Sequence, residues 1–187
     1  MLGAQFEEAL TYATQTHATQ RRKGGDVPYV AHLLGVASLV LEDGGGEQEA
    51  IAALLHDAVE DQGGAERLAD IRARFGDEVA EIVAGCSDTD VVPKPAWRSR
   101  KEEYIQHLAS ASPQVVRVSL ADKVHNARSV LFDYRLMGEE LWTRFNPDAD
   151  HLWYYRSLVD AFRKVSRSPL VDELDRVVSE LERIASL

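Results

Sequence analysis

Six consecutive residues, His56-Asp57-Ala58-Val59-Glu60-Asp61, bring an imidazole and three carboxylates within about one and a half helical turns. The preceding run, Ala50-Ile51-Ala52-Ala53-Leu54-Leu55, is apolar enough to be buried, so the charges follow directly on a segment withdrawn from water. A carboxylate there must be paired, hydrogen-bonded or bound to a cation, and a neighbouring imidazole points to a cation. A single His-Asp pair is more simply a solvated helix end. Glu60 and Asp61 lie one turn on, on the side of His56 and Asp57, and shift the balance to a metal site.

Two other stretches can complete such a site. His32 falls on the apolar face Tyr29, His32, Leu33, Val36, Ala37 and Val40, where an isolated His is ordinarily a core residue. Residues 114 to about 134 are apolar on most of their circumference, as in a central helix, yet Asp122, Asn126 and Ser129 recur along one stripe of it, with Lys123 and His125 to either side. A buried Asp on a central helix needs a partner. His32, His56, Asp57 and Asp122 together supply two imidazoles and two carboxylates, a donor set suited to a divalent ion such as Mn²⁺ or Fe²⁺.

The elements that must carry these residues are all helical. The 3.6-residue period predicts a helix over 6 to about 19, a second beginning with Pro28 in its first turn and running to about 42, and a third over 47 to about 61. Shorter helices follow over about 65–74 and 77–84, then a charged surface helix over 99 to about 109. Beyond the central helix come a segment around 138–145, a helix over about 150–166, and an amphipathic helix after Pro169. Glycines at 44–46, 63–64 and 76 punctuate them. The irregular stretch 87–95, with Asp88 and Asp90, could be a lid or a solvated loop. Residues 20–28 form a loop of three consecutive cations and two glycines, able to bring backbone amides close to a ligand or simply to remain a solvated basic turn. The expectation is an all-α bundle of about eight to ten helices around a metal site.

The 187 residues are the length of one domain, residues 1–187, which can bury a core without metal or disulfides, so a bound metal would serve chemistry. Lys plus Arg number 21 against 31 Asp plus Glu, for a net charge of −10, which argues against a nucleic-acid binder with a broad basic face. The one cysteine, Cys86, together with an N-terminus unlike a signal peptide, fits a cytoplasmic protein. No apolar run approaches the roughly 18 residues of a membrane span.

The motifs in order are Gln20-Arg21-Arg22-Lys23 with Pro28-Tyr29 and His32, then His56-Asp57-Ala58-Val59-Glu60-Asp61, then Leu120-Ala121-Asp122-Lys123-Val124-His125-Asn126-Ala127-Arg128. In this order they resemble the HD-domain metal phosphohydrolases, and more narrowly the hydrolase domain of RelA/SpoT proteins and the small single-domain alarmone hydrolases, including the metazoan SpoT homologues. The resemblance is strongest over residues 5–160; it thins in the last third, where 169–187 form a C-terminal helix and a ligand role for Tyr155 is only weakly suggested. It implies Mn²⁺ on His32, His56, Asp57 and Asp122, with Glu60 and Asp61 positioning or activating water. It further implies Arg22 against a guanine base, Lys23 toward phosphate, Asn126 on the nucleoside, and Ser129 where many members carry Thr. Between Lys23 and Pro28 this chain is one residue longer than the bacterial bifunctional enzymes.

The activity implied is removal of the 3′-pyrophosphate of (p)ppGpp to give GDP or GTP, on a small-molecule nucleotide and without a nucleic-acid or membrane partner. Two alternatives remain at this stage: a phosphohydrolase of the same fold acting on another nucleotide such as NADPH, and a sensor that binds nucleotide without turnover. Monomer and homodimer are both open.

Overall fold

A computed structural model describes residues 2–87, 95–145 and 149–185. Among them are ten α-helices and one 3-10 helix: α1 (Ala4–Thr16), α2 (Val30–Glu42), α3 (Glu47–Leu55), α4 (Ala58–Gln62), α5 (Gly64–Phe75), α6 (Asp77–Cys86), α7 (Trp97–His107), α8 (Pro113–Met137), η1 (Gly138–Arg144), α9 (His151–Val165) and α10 (Pro169–Ala185). The all-α expectation holds, and no described helix is long and apolar enough to cross a membrane. The stretch around Asp88 and Asp90, offered above as a lid, falls at 88–94, outside the described residues.

The long helix α8 is the axis. Ser112 caps it, its hydroxyl accepting from the Val115 amide, and Pro113 fills the first turn, where a missing N–H costs nothing. Val118, Leu120, Ala121, Val124 and Ala127 are fully buried as α2, α3, α6, α9 and α10 pack around it. α3 is buried on every side from Ala50 to Leu55. Each such leucine withdrawn from water contributes about 1.5–3 kcal/mol. The Arg117 guanidinium, donating to Asp43 and Glu49, ties the approach to α3 onto α8.

Two local expectations are corrected. The helix predicted over 47–61 is interrupted: α3 ends at Leu55, and α4 restarts at Ala58. Pro28 lies outside α2, in an isolated antiparallel bridge with Arg21. There the Arg22 amide donates to Val27 O (2.9 Å) and the Tyr29 amide to Gln20 O (3.0 Å), folding the basic loop back on itself. Gly24 makes the reversal at φ 77°, a conformation costly for any residue with a Cβ.

Candidate active site

His56 and Asp57 stand at the junction of α3 and α4, where both keep right-handed helical angles (φ −58°, ψ −31° and φ −94°, ψ −7°). Their Nε2 and Oδ2 atoms lie 3.1 Å apart. α2 supplies His32 from its first turn, and α8 supplies Asp122 from its middle.

His32, His56 and Asp57 each present a ligand-type atom within 4.8 Å of one another. Asp122 Oδ1 joins them, 3.2 Å from His32 Nε2 and 3.6 Å from His56 Nε2, while Asp57 Oδ2 stands 3.5 and 3.1 Å from the same two nitrogens. Both Nε2 atoms are buried without an aligned hydrogen bond. Two imidazole nitrogens ringed by carboxylate oxygens at 3.1–3.6 Å are a set that could hold a common cation. His56 is also set for that role at its other nitrogen, where Nδ1–H donates to Ala53 O (2.8 Å) and leaves the Nε2 lone pair facing the cluster. These four residues fit a divalent ion.

Among the four groups alone, the two carboxylates keep their charge and call for a positive one between them. Burial by itself would raise the Asp57 carboxyl, but His56 and His32 hold it well below the usual carboxylate range. Burial likewise opposes ionisation of Asp122, and is outweighed by Lys123 and the two histidines. His56 is drawn well above its usual value by Asp57 and Asp122 in spite of burial.

A ring of donors surrounds the carboxylates, and its members Tyr29, Lys123 and His125 carried no role in the sequence reading. The Tyr29 hydroxyl donates to Asp57 Oδ2 (2.6 Å); burial and the Asp57 charge push its pKa up, so it stays a donor. Lys123 Nζ donates to Asp122 Oδ2 (2.5 Å) beside the Tyr104 ring; burial disfavours its charge, but Asp122 holds its pKa well above the ordinary value. Asn126 Nδ2 donates to Asp122 Oδ1 (2.5 Å), and Arg22 Nη2 to Asn126 Oδ1 (2.7 Å). His125 Nδ1 lies 2.9 Å from His32 Nδ1. The only signal in the sequence was adjacency: Tyr29 precedes His32 by three residues, and Lys123 and His125 flank the polar stripe of α8.

A cavity of about 410 Å³ opens over the cluster. Asp57, Asp122, Glu60 and Asp61 line its acidic side, and Arg21, Arg22, Lys23, Lys101 and Lys123 supply cations. Trp97, Phe145, His151, Tyr154 and Tyr155 form an aromatic wall, with the Tyr155 hydroxyl pushed up to about 12 by burial. Asn126 and Ser129 line it too, the Ser129 hydroxyl donating back to His125 O (3.0 Å). Every site residue singled out in the sequence therefore lies in the cluster or on this cavity. Asp61 is raised by burial above the usual carboxylate range, opposed by the Gln20 amide, which donates to its Oδ2 (2.7 Å), and reinforced by the Asp57 and Glu60 charges. Gln20 is itself held by Gln62 (2.6 Å) and His17 (2.6 Å).

The HD domain family model matches residues 9–140. The chain is 37% identical over 126 residues to the guanosine-3′,5′-bis(diphosphate) 3′-pyrophosphohydrolase MESH1 of Xenopus tropicalis, covering 66% of this chain and 68% of that protein. It is also 37% identical over 129 residues to a probable GTP pyrophosphokinase of Mycobacterium leprae, a match covering 67% of this chain but spanning 16% of that protein's length. Among solved structures, a metazoan ortholog of SpoT described as hydrolyzing ppGpp superposes with a TM-score of 0.79 at 26% identity, over 97% of each chain. With the fold, the motif order and these matches in agreement, the chain belongs to the HD-domain family, as a relative of MESH1.

Proposed function

We propose that this chain is a Mn²⁺-dependent (p)ppGpp 3′-pyrophosphohydrolase, acting as a single domain over residues 1–187. One observation carries the reading: two orphaned imidazole nitrogens and two carboxylates converge beneath a cavity whose other walls are cationic and aromatic, in a chain whose MESH1 relatives bear that activity in their names. His32, His56, Asp57 and Asp122 would hold the ion. Bound there, a divalent ion would lower the pKa of nearby water and neutralise phosphate charge.

The residues of the chain divide the remaining work. Water attacks the phosphorus joined to the ribose 3′ oxygen, and the P–O3′ bond breaks to release pyrophosphate and GDP or GTP. Glu60 or Asp61 accepts the proton of that water while O3′ takes up a proton to leave as the ribose hydroxyl, and the raised Asp61 carboxyl is better matched to the task than an ordinary aspartate. Arg22 and Lys23 offset the charge of the nucleotide in a protein of net charge −10, with Arg22 on the base and Lys23 on phosphate. Asn126 and Ser129 contact the nucleoside. The acidic charge and single cysteine support a cytoplasmic enzyme with no nucleic-acid partner.

The test is a panel. Protein loaded with Mn²⁺, then with other divalent ions, is incubated with ppGpp, pppGpp, NADPH and dNTPs, and products are resolved by ion-exchange chromatography. Pyrophosphate with GDP or GTP is expected; turnover of NADPH alone would overturn the substrate assignment, and tight binding of ppGpp without turnover would make the chain a sensor.

A further inference from the structure

His125 lies outside the four-residue cluster and outside the cavity lining, yet it reaches the cluster through His32. The two rings meet Nδ1 to Nδ1 at 2.9 Å, with centroids 4.8 Å apart and planes inclined at 65°. A contact of that length between neutral imidazoles holds one proton, so one ring donates and the other accepts. His32 Nε2 is the atom turned toward His56, Asp57 and Asp122. It can offer a lone pair there only if the proton of the ring sits on Nδ1. His32 is then the donor and His125 Nδ1 the acceptor.

A second observation comes from the same helix as His32. Gly35, three residues on in α2, would place a Cβ 2.2 Å from His125 Cδ2 and 2.4 Å from His125 Nε2. The His125 ring fills the space that any side chain at 35 would take. Gly35 is not among the glycines with positive φ, so no turn requires it, and glycine is a poorer helix former than alanine. Its smallness is what α8 needs in order to bring His125 against His32.

We propose that His125 is a positioning residue for the metal centre: it accepts the Nδ1 proton of His32, fixing the tautomer and ring orientation that present Nε2 to the ion, and Gly35 is the clearance that admits it. This rests on the metal-centre reading and extends it by two residues that touch neither ion nor substrate. Loss of such an outer partner typically weakens metal binding about ten- to a hundredfold.

Three variants of the full chain test this, each stripped of metal, titrated with Mn²⁺ against a chelating dye, and melted in EDTA to check the fold. His125→Leu keeps bulk but removes the acceptor. His125→Asn puts an amide oxygen where Nδ1 stood. Gly35→Ala deletes no packing atom and improves helix propensity, so it reads the same contact even where His125→Leu gives no soluble protein. The expected result is Mn²⁺ affinity about ten- to a hundredfold weaker in His125→Leu and Gly35→Ala and near wild type in His125→Asn, with cooperative melting in EDTA showing that each variant is folded. Wild-type affinity in Gly35→Ala or His125→Leu overturns the proposal, as does equal loss in His125→Asn and His125→Leu. A wild-type chain with no Mn²⁺ affinity would instead fail the metal reading itself, which distinguishes the two failures.

Discussion

Arg22 and Asn126, 104 residues apart in sequence, are bonded to each other: Arg22 Nη2 donates to Asn126 Oδ1 at 2.7 Å, and Asn126 passes the connection on to Asp122 through its own amide at 2.5 Å. The same guanidinium stands 5.8 Å from the Tyr29 ring centroid, and the Tyr29 hydroxyl is bonded to Asp57. The cation assigned to the nucleotide base is thus joined at two points to carboxylates of the metal cluster.

The first prediction follows from that joint. Arg22→Ala should mainly raise KM, since a stacking or cation–π contact serves ground and transition state alike, at about 0.5–2 kcal/mol. Asn126→Ala should also lower kcat, because Asp122 loses a donor. A double-mutant cycle on kcat/KM should show coupling of about 0.5–3 kcal/mol; strict additivity would mean that the two residues act independently.

Removing a cluster residue should separate metal loss from fold loss. His56→Ala and Asp122→Asn should both lower bound Mn²⁺ and turnover together. Asp122→Asn should in addition leave Lys123, whose side chain is 16% exposed, without its counter-charge, at about 3–5 kcal/mol. Asp122→Asn combined with Lys123→Met should therefore regain melting temperature while remaining metal-poor. Full metal content and wild-type turnover in either single variant would sink the ligand assignment.

The candidate ligands and their order were legible in the sequence because carboxylates and imidazoles set into apolar helices have few structural uses. How they converge was not. Nothing at Leu55-His56-Asp57 signals the break between α3 and α4, since no Gly or Pro stands there. Pro28 read as a helix start because its missing N–H suits a first turn, whereas the backbone bonds on either side place it in a bridge with Arg21. His125 could not be assigned from spacing, because its partner lies on another helix and the space for it is made by a glycine there.

Glu60→Gln distinguishes a hydrolase from a sensor. The variant keeps the shape of the side chain but cannot take a proton, so it should retain metal and nucleotide binding and lose about 10²- to 10⁴-fold in kcat. Single-turnover kinetics with Mn²⁺ and ppGpp would measure this. A variant as fast as wild type removes Glu60 from the chemistry.

The last prediction concerns pH and turns on Asp61. Burial raises its carboxyl above the usual aspartate range, the Gln20 amide pulls it back by bonding to the charged form, and the Asp57 and Glu60 charges raise it further. A proton acceptor works only when ionised, so kcat/KM should fall as pH drops through the Asp61 pKa, and this acid limb should lie above the pH at which an unperturbed aspartate would place it. The sign of the Gln20 contribution is then fixed. Gln20→Leu removes a donor to the carboxylate, the charged form loses stabilisation, and the acid limb must move to higher pH, while rates on the alkaline side of the limb change far less. Asp61→Asn, with no proton to exchange at that position, should lower the plateau and remove the part of the limb that responds to Gln20. A Gln20→Leu profile that overlays the wild type, or shifts to lower pH, would show that the proton is accepted elsewhere.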